Sequence, residues 1–119
     1  MKPDIHNPDC PSRGVLDRIS DKWTALIVLV LLDGPFRFSD LRIRVGGVAP
    51  KVLTETLRRL ERDGLLTRTA HAEAPPRVEY ELTALGHSLA EPITAITAWA
   101  EEHMRQITRA RERYDGRAA

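Results

Sequence analysis

Val48–Thr69 reads VAPKVLTETLRRLERDGLLTRT, and the fold turns on how that stretch divides. Its spacing predicts a helix from Pro50 to about Asp63, which sets Leu53, Leu57 and Leu60 on one stripe at steps of four and three. The opposite face carries Lys51, Glu55, Arg58, Arg59 and Arg62, four cations and one acid. Pro50 suits a first helical position, where its missing N–H would have found no intrahelical partner. Gly64 supplies the stop, because glycine enters the left-handed conformation after a helix without strain. Leu65-Leu66 then turns the pattern towards a strand.

Working outward, strands are expected at Leu66–Ala70 and Arg77–Leu82, with a stiff proline-containing tip at His71–Pro76. The apolar residues of Arg77-Val78-Glu79-Tyr80-Glu81-Leu82 alternate, as a half-buried strand requires. On the other side, Gly46-Gly47 makes the turn into the helix, preceded by a short helix from Asp40 to about Val45 that buries Leu41 and Val45, with Ser39 as its cap. Phe36-Arg37-Phe38 suits a short strand after the Asp33-Gly34-Pro35 break. Lys22–Leu32 is apolar nearly all round and should be the central core helix, capped by Ser20-Asp21. A first short helix opens with Pro11 and buries Val15, Leu16 and Ile19. A helix with one greasy and one basic face, fed into a hairpin wing, is how a winged helix-turn-helix presents a recognition helix to DNA. Arg-rich helix faces are also commonly just solvated, so the neighbouring elements carry the reading.

From Thr83, a good N-cap, a helical pattern runs through Leu85, Leu89, Ile93, Ile96, Ala100, His103 and Ile107, with Pro92 expected to kink or restart it. So long an apolar stripe on a terminal helix exceeds what a core this small needs. It implies a homodimer interface built from these residues with Leu16 and Trp99, against the alternative of packing within the subunit. The fold class is therefore mainly α with a small β-hairpin (α+β), a winged helix-turn-helix with N- and C-terminal dimerisation helices. The chain divides into a flexible arm (residues 1–9), one domain (10–109) and a charged tail (110–119). Within the domain lie the recognition helix (about 50–63), the wing (about 66–82) and the dimerisation helix (about 83–109).

At 119 residues one domain is expected, large enough for a real core yet marginal as a monomer. Net charge is only +1, but residues 37–77 hold nine Lys/Arg against five acids while both flanks are slightly acidic. The basic surplus thus falls on the segment suspected of facing phosphates. MKPDIHNPDC has no apolar signal-peptide core, and the longest apolar run, Ala25–Leu32, is too short to span a bilayer. A single cysteine excludes an internal disulfide, so a soluble, cytoplasmic protein without membrane contact is expected.

The four pieces CPSRGVLDRISDKWTALIV, FRFSDL, APKVLTETLRRLERDGLLTR and PPRVEYELTALG, in that order, resemble the HxlR-type bacterial winged helix-turn-helix regulators from about Cys10 to Trp99. The resemblance implies a dimeric transcription factor with one recognition helix and one wing per subunit, dimerised through its first and last helices. In several such proteins a cysteine at the position of Cys10 senses electrophiles or oxidants. Two departures stand out. Ala49 takes a position usually held by Ser or Thr, so the recognition helix lacks its side-chain cap at a cost of about 1 kcal/mol. No second cysteine exists to resolve an oxidised Cys10, which excludes a bridge between two different cysteines.

Lys51 and Arg58 are the first candidates for DNA contact, since both point away from the leucine stripe. Thr54 lies between the faces and could meet a phosphate or a thymine methyl. Glu55 could accept from a cytosine amino group, or pair with Lys51 or Arg59 four residues to either side. Arg77 could enter the minor groove or cap the hairpin, and Arg37 and Arg42 are phosphate candidates of lower rank. Cys10, before Pro11 at a helix start with Arg13 one turn in, has surroundings that favour thiolate, against the alternative of an inert half-buried thiol. His6 with Cys10 is too few ligands for a metal, and no cofactor or metal is expected. Trp23 and Trp99 suit packing. Nothing resembles a phosphate-cradling loop, a zinc-protease motif or a nucleophile elbow, so no enzyme is expected. The expected partners are an inverted-repeat duplex, a second copy, and an electrophile, oxidant or small-molecule effector at the dimer interface. A rival reading is a winged-helix module that docks proteins without DNA.

Overall fold

The computed structural model describes residues 2–118. Its elements are α1 (Pro11–Ile19), α2 (Lys22–Leu31), β1 (Phe36–Arg37), α3 (Phe38–Arg44), α4 (Pro50–Arg62), β2 (Leu66–His71), β3 (Arg77–Leu82) and α5 (Ala84–Ala118). The strands form one antiparallel sheet in the order β1-β3-β2, with Phe36 opposite Tyr80 and Leu66 opposite Leu82. The expected hairpin is thus joined by a short third strand, making the winged-helix sheet.

Ile27, Val28 and Leu31 of α2, Leu41 of α3, and Leu53, Leu57 and Leu60 of α4 meet Leu66 and Leu82 of the sheet in one core. α2 is central, as its apolar sequence requires, and Asp21 caps it by accepting from the Trp23 N–H at 2.7 Å. α4 begins at Pro50 with Ala49 as an N-cap that offers no side-chain bond. It ends at Asp63, followed by Gly64 at φ +76°, where an L side chain would be strained.

The Asp63–Leu65 turn is the joint of the molecule. Thr83 donates its N–H to Leu65 O at 3.1 Å and its hydroxyl to Gly64 O at 2.6 Å, while also accepting from the Gly86 N–H as the cap of α5. Arg18 of α1 reaches Asp63 at 2.9 Å, so the first helix, the last helix, α4 and β2 are all fastened there. At a helix C-terminus the Asp63 carboxylate opposes the local dipole, and the Arg18 guanidinium offsets that.

Several expectations are corrected. α3 starts at Phe38, two residues earlier than expected, with Arg37 as an N-cap that makes no side-chain bond, so Ser39 lies inside the helix. α5 passes through Pro92 as one helix and continues to Ala118, so the charged tail is helical rather than frayed as far as it is described. The arm carries turns of its own, with Asn7 N–H donating to Asp4 O and Cys10 N–H to Asn7 O. Met1 of that arm and Ala119 of the tail lie outside the described residues. The α1 face expected to be buried is not: Val15 and Leu16 are about half exposed within the subunit. Leu89 and Ile93, assigned to the interface as part of the α5 stripe, pack into the subunit's own core, because α5 crosses α2 there.

Candidate nucleic-acid interface

α4 presents two kinds of surface. Leu53, Thr56, Leu57 and Leu60 are buried, and Thr56 satisfies its hydroxyl on Val52 O at 2.8 Å. Lys51, Glu55, Arg58 and Arg62 recur at steps of four, three and four and are all exposed, forming an outward stripe. That stripe is what a major groove would meet, since a helix is about as wide as the groove.

Ion pairing sorts the basic residues further. Arg59 does not belong to the outward stripe: its guanidinium turns back towards Asp21 at 3.8 Å and donates to Thr56 Oγ1 at 3.3 Å. Arg77 is held by two acids of the hairpin, Glu73 at 3.2 Å and Glu79 at 2.9 Å, which favours capping the hairpin among its two expected roles. Its Nε faces Glu79 at an angle too poor for a hydrogen bond. Glu79 also lies 3.5 Å from His71, so the carboxylate organises the wing's base. Arg44 is tied to Asp33 at 2.8 Å beside the Phe36 ring. The cations of this segment with no carboxylate within 4.0 Å among the described residues are Arg37, Arg42, Lys51, Arg58, Arg62 and Arg68. Glu55 pairs with neither Lys51 nor Arg59, which leaves its carboxylate facing outward. Thr54 donates its hydroxyl to Pro50 O at 2.9 Å, so only its lone pairs and methyl remain for a partner.

Sequence alone places Arg62 on the basic helix face without marking it as a contact, and does not single out Arg68. The signal for Arg68 was present in the period of two, because Leu66, Arg68 and Ala70 share the face of β2 that turns towards α4.

Cys10 is the N-cap of α1, 4% exposed, and packed by its own neighbourhood. The Asp4 N–H donates to its Sγ at 3.3 Å and the Ser12 hydroxyl lies at 3.1 Å. The Asp4 N–H, then the Ser12 hydroxyl and backbone N–H, hold the thiol below its ordinary pKa, against a smaller opposing effect of desolvation. The expected cation is elsewhere, since Arg13 donates to His6 O at 3.4 Å. No cluster of three metal-ligating side chains exists among the described residues.

Residues 18–108 match the family described as HxlR-like helix-turn-helix. The chain belongs to that family. HxlR-like proteins are DNA-binding transcriptional regulators and not enzymes, and this chain is one of them. It is 44% identical over 103 residues to the HTH-type transcriptional regulator YtfH of Escherichia coli (strain K12), covering 87% of this chain and 82% of that one. The solved structure of YtfH from Salmonella typhimurium superposes with a TM-score of 0.86 at 40% identity, over 93% of this chain and 99% of the other. The redox regulator HypR in its oxidised form superposes with a TM-score of 0.72 at 34% identity, over 78% and 96% of the two chains. In this HxlR-like chain no helix among the described residues is long and apolar enough to cross a membrane.

Proposed function

We propose that the protein is a homodimeric, sequence-specific repressor that reads an inverted repeat through α4 and releases it when Cys10 is modified. The observation that carries DNA reading is the outward stripe of Lys51, Glu55, Arg58 and Arg62, backed by buried leucines and flanked by the hairpin. Lys51 and Arg62 suit phosphates, while Arg58 and Glu55 suit base edges, a guanine and a cytosine respectively. Arg37 lies exposed at the N-cap of α3 and Arg42 in its last turn, where a helix that crosses the DNA backbone would bring them to phosphates.

The dimer rests on α1 and α5. A compact chain of this length has a radius of gyration of about 13–14 Å, whereas this one reaches 17.7 Å with a longest extent of 61 Å. The excess is α5, a helix of 35 residues that runs on beyond Ile93 with none of residues 94–117 buried. Ile96, Trp99 and Met104 are more than half exposed there, Ala100 is exposed, His103 and Ile107 are half-buried, and Trp99 stacks on His103 at 4.6 Å. Such a helix gains stability by tertiary packing of its apolar side rather than by propensity. A second copy covers it, together with exposed Val15, Leu16 and Leu85.

Cys10 sits at the head of α1, and Arg18 at its foot holds the joint below α4. A bulky or charged adduct on Sγ would displace Asp4 and Ser12, shift α1 and so misplace the recognition helices. The open products are a mixed disulfide, an S-alkyl adduct, or Cys10 joined to its copy in the partner if the two Cα atoms come within about 7 Å. The similarity to a redox regulator supports this reading. A second reading keeps DNA binding but places a small apolar effector in the groove of about 430 Å³ lined by Val15, Ile19, Leu65, Leu85, Leu89 and Pro92. The test is a gel shift on DNA flanking the protein's own gene, with and without diamide. Release by diamide in the natural chain but not in Cys10→Ser supports the cysteine switch. Equal responses in both would refute it.

A further inference from the structure

Between α4 and the hairpin runs a cleft of about 360 Å³ lined by Thr54, Leu57, Arg58, Glu61, Arg68 and Tyr80. Arg68 and Tyr80 are directly opposed across β2 and β3, so both side chains leave the same face of the sheet towards α4. Neighbouring Leu66 and Leu82 on that face are buried, which places Arg68 and Tyr80 at the edge of the core where the cleft opens. Arg68 is exposed and has no carboxylate within 4.0 Å among the described residues, unlike Arg59 and Arg77. It ends in five N–H donors with a fixed positive charge.

This placement has a geometric consequence on duplex DNA. With α4 in the major groove and the hairpin over the adjacent minor groove, the sugar-phosphate strand that separates the two grooves passes over the seam between them. We propose that this cleft is a phosphate seat, in which Arg68 holds one backbone phosphate from the sheet side and the Tyr80 hydroxyl supplies a second donor. Arg58, on the rim shared by the cleft and the outward stripe, is then left to reach a base. Glu61, the one carboxylate in the lining, faces the same strand and weakens attraction to it. With Arg77 occupied by Glu73 and Glu79, Arg68 takes over the anchoring expected of the wing.

The inference rests on the DNA-binding reading and is tested by affinity against salt for the natural chain, R68Q, R68K and E61Q, on operator and on unrelated duplex. Loss of one phosphate contact from each subunit of the dimer lowers the magnitude of the log–log salt slope by about 1.8, so the affinity ratio of natural chain to R68Q falls about 12-fold between roughly 50 and 200 mM salt. R68Q should weaken both duplexes in parallel, R68K should keep the natural slope, and E61Q should bind both duplexes more tightly. Thermal melting of each variant separates a contact from a folding defect, and E61Q carries the test if R68Q does not fold, since unchanged binding by E61Q would overturn the seat. R68Q with unchanged affinity, or with weaker binding at an unchanged slope, overturns the seat while the natural chain still binds DNA. A natural chain that binds neither duplex overturns the DNA-binding reading and this inference with it.

Discussion

Replacing Gly86 with alanine sets a methyl carbon 2.1 Å from the backbone oxygen of Leu65 and 2.9 Å from Leu82 Cδ2. The leucine side chain can rotate away, but the carbonyl is fixed in the joint between α4 and β2. Carbon–oxygen contacts settle at about 3.3 Å or beyond, so α5 must retreat from Leu65 by roughly 1 Å. That retreat stretches the Thr83 N–H bond to Leu65 O, now 3.1 Å, and the Thr83 hydroxyl bond to Gly64 O. Overpacking costs about 1–3 kcal/mol, and each hydrogen bond lost adds about 1 kcal/mol, for a total of roughly 3–5 kcal/mol. At about 2.1 cal/mol/K per residue, each kcal/mol lowers Tm by about 4 °C, so the melting point should fall by roughly 12–20 °C. Circular dichroism or calorimetry at fixed protein concentration reads this directly. Gly116→Ala is the control, because nothing lies within 4 Å of its added methyl. A Gly86→Ala protein melting within about 3 °C of the natural chain would refute the close approach at the joint.

Charge placed on the overhanging helix should separate the subunits: Ile96→Glu is expected to shift sedimentation from dimer to monomer at micromolar concentration, and a stable monomer of the natural chain would end the dimer proposal. Arg58→Ala should cost about 1–3 kcal/mol of operator affinity per half-site, with specificity relaxed at one base pair in each, whereas Arg59→Ala, tied to Asp21, should leave it nearly unchanged; equal losses would mean the stripe is misassigned. The alkylation rate of Cys10, followed by intact mass, should rise at lower pH in the folded chain than in urea, because the Asp4 and Ser12 contacts favour thiolate. By linkage their stabilisation is fully present above the unfolded thiol's pKa and is lost as pH falls through the folded value; coincident rate profiles would remove this basis for a reactive thiol.

The helix-turn-helix was legible because its determinants are local. Leucine spacing fixed the buried side of α4, Pro50 and Gly64 marked its ends, and alternation fixed β3 to the residue. The misreadings arose where a distant partner decides. Arg59 and Arg77 look alike as outward cations on a one-dimensional chain, and only folding brings Asp21 beside one and Glu79 beside the other. The long stripe of α5 could not reveal where its inward portion stops, because Leu89 and Ile93 face α2 while Ile96 and Trp99 extend past it. Arg68 escapes a reading of the sequence for a related reason: its position lines a cleft between two elements, which no single element's pattern displays.

The central claim, that a dimer inserts α4 into successive major grooves, is tested most directly by dimethyl sulfate protection of the DNA flanking the protein's own gene. Guanine N7 lies in the major groove, where Arg58 would cover it. Two protected patches related by a two-fold axis and centred about 10 bp apart are predicted, with the guanine signal lost in Arg58→Ala. Saturable binding with no guanine N7 protection would contradict the account.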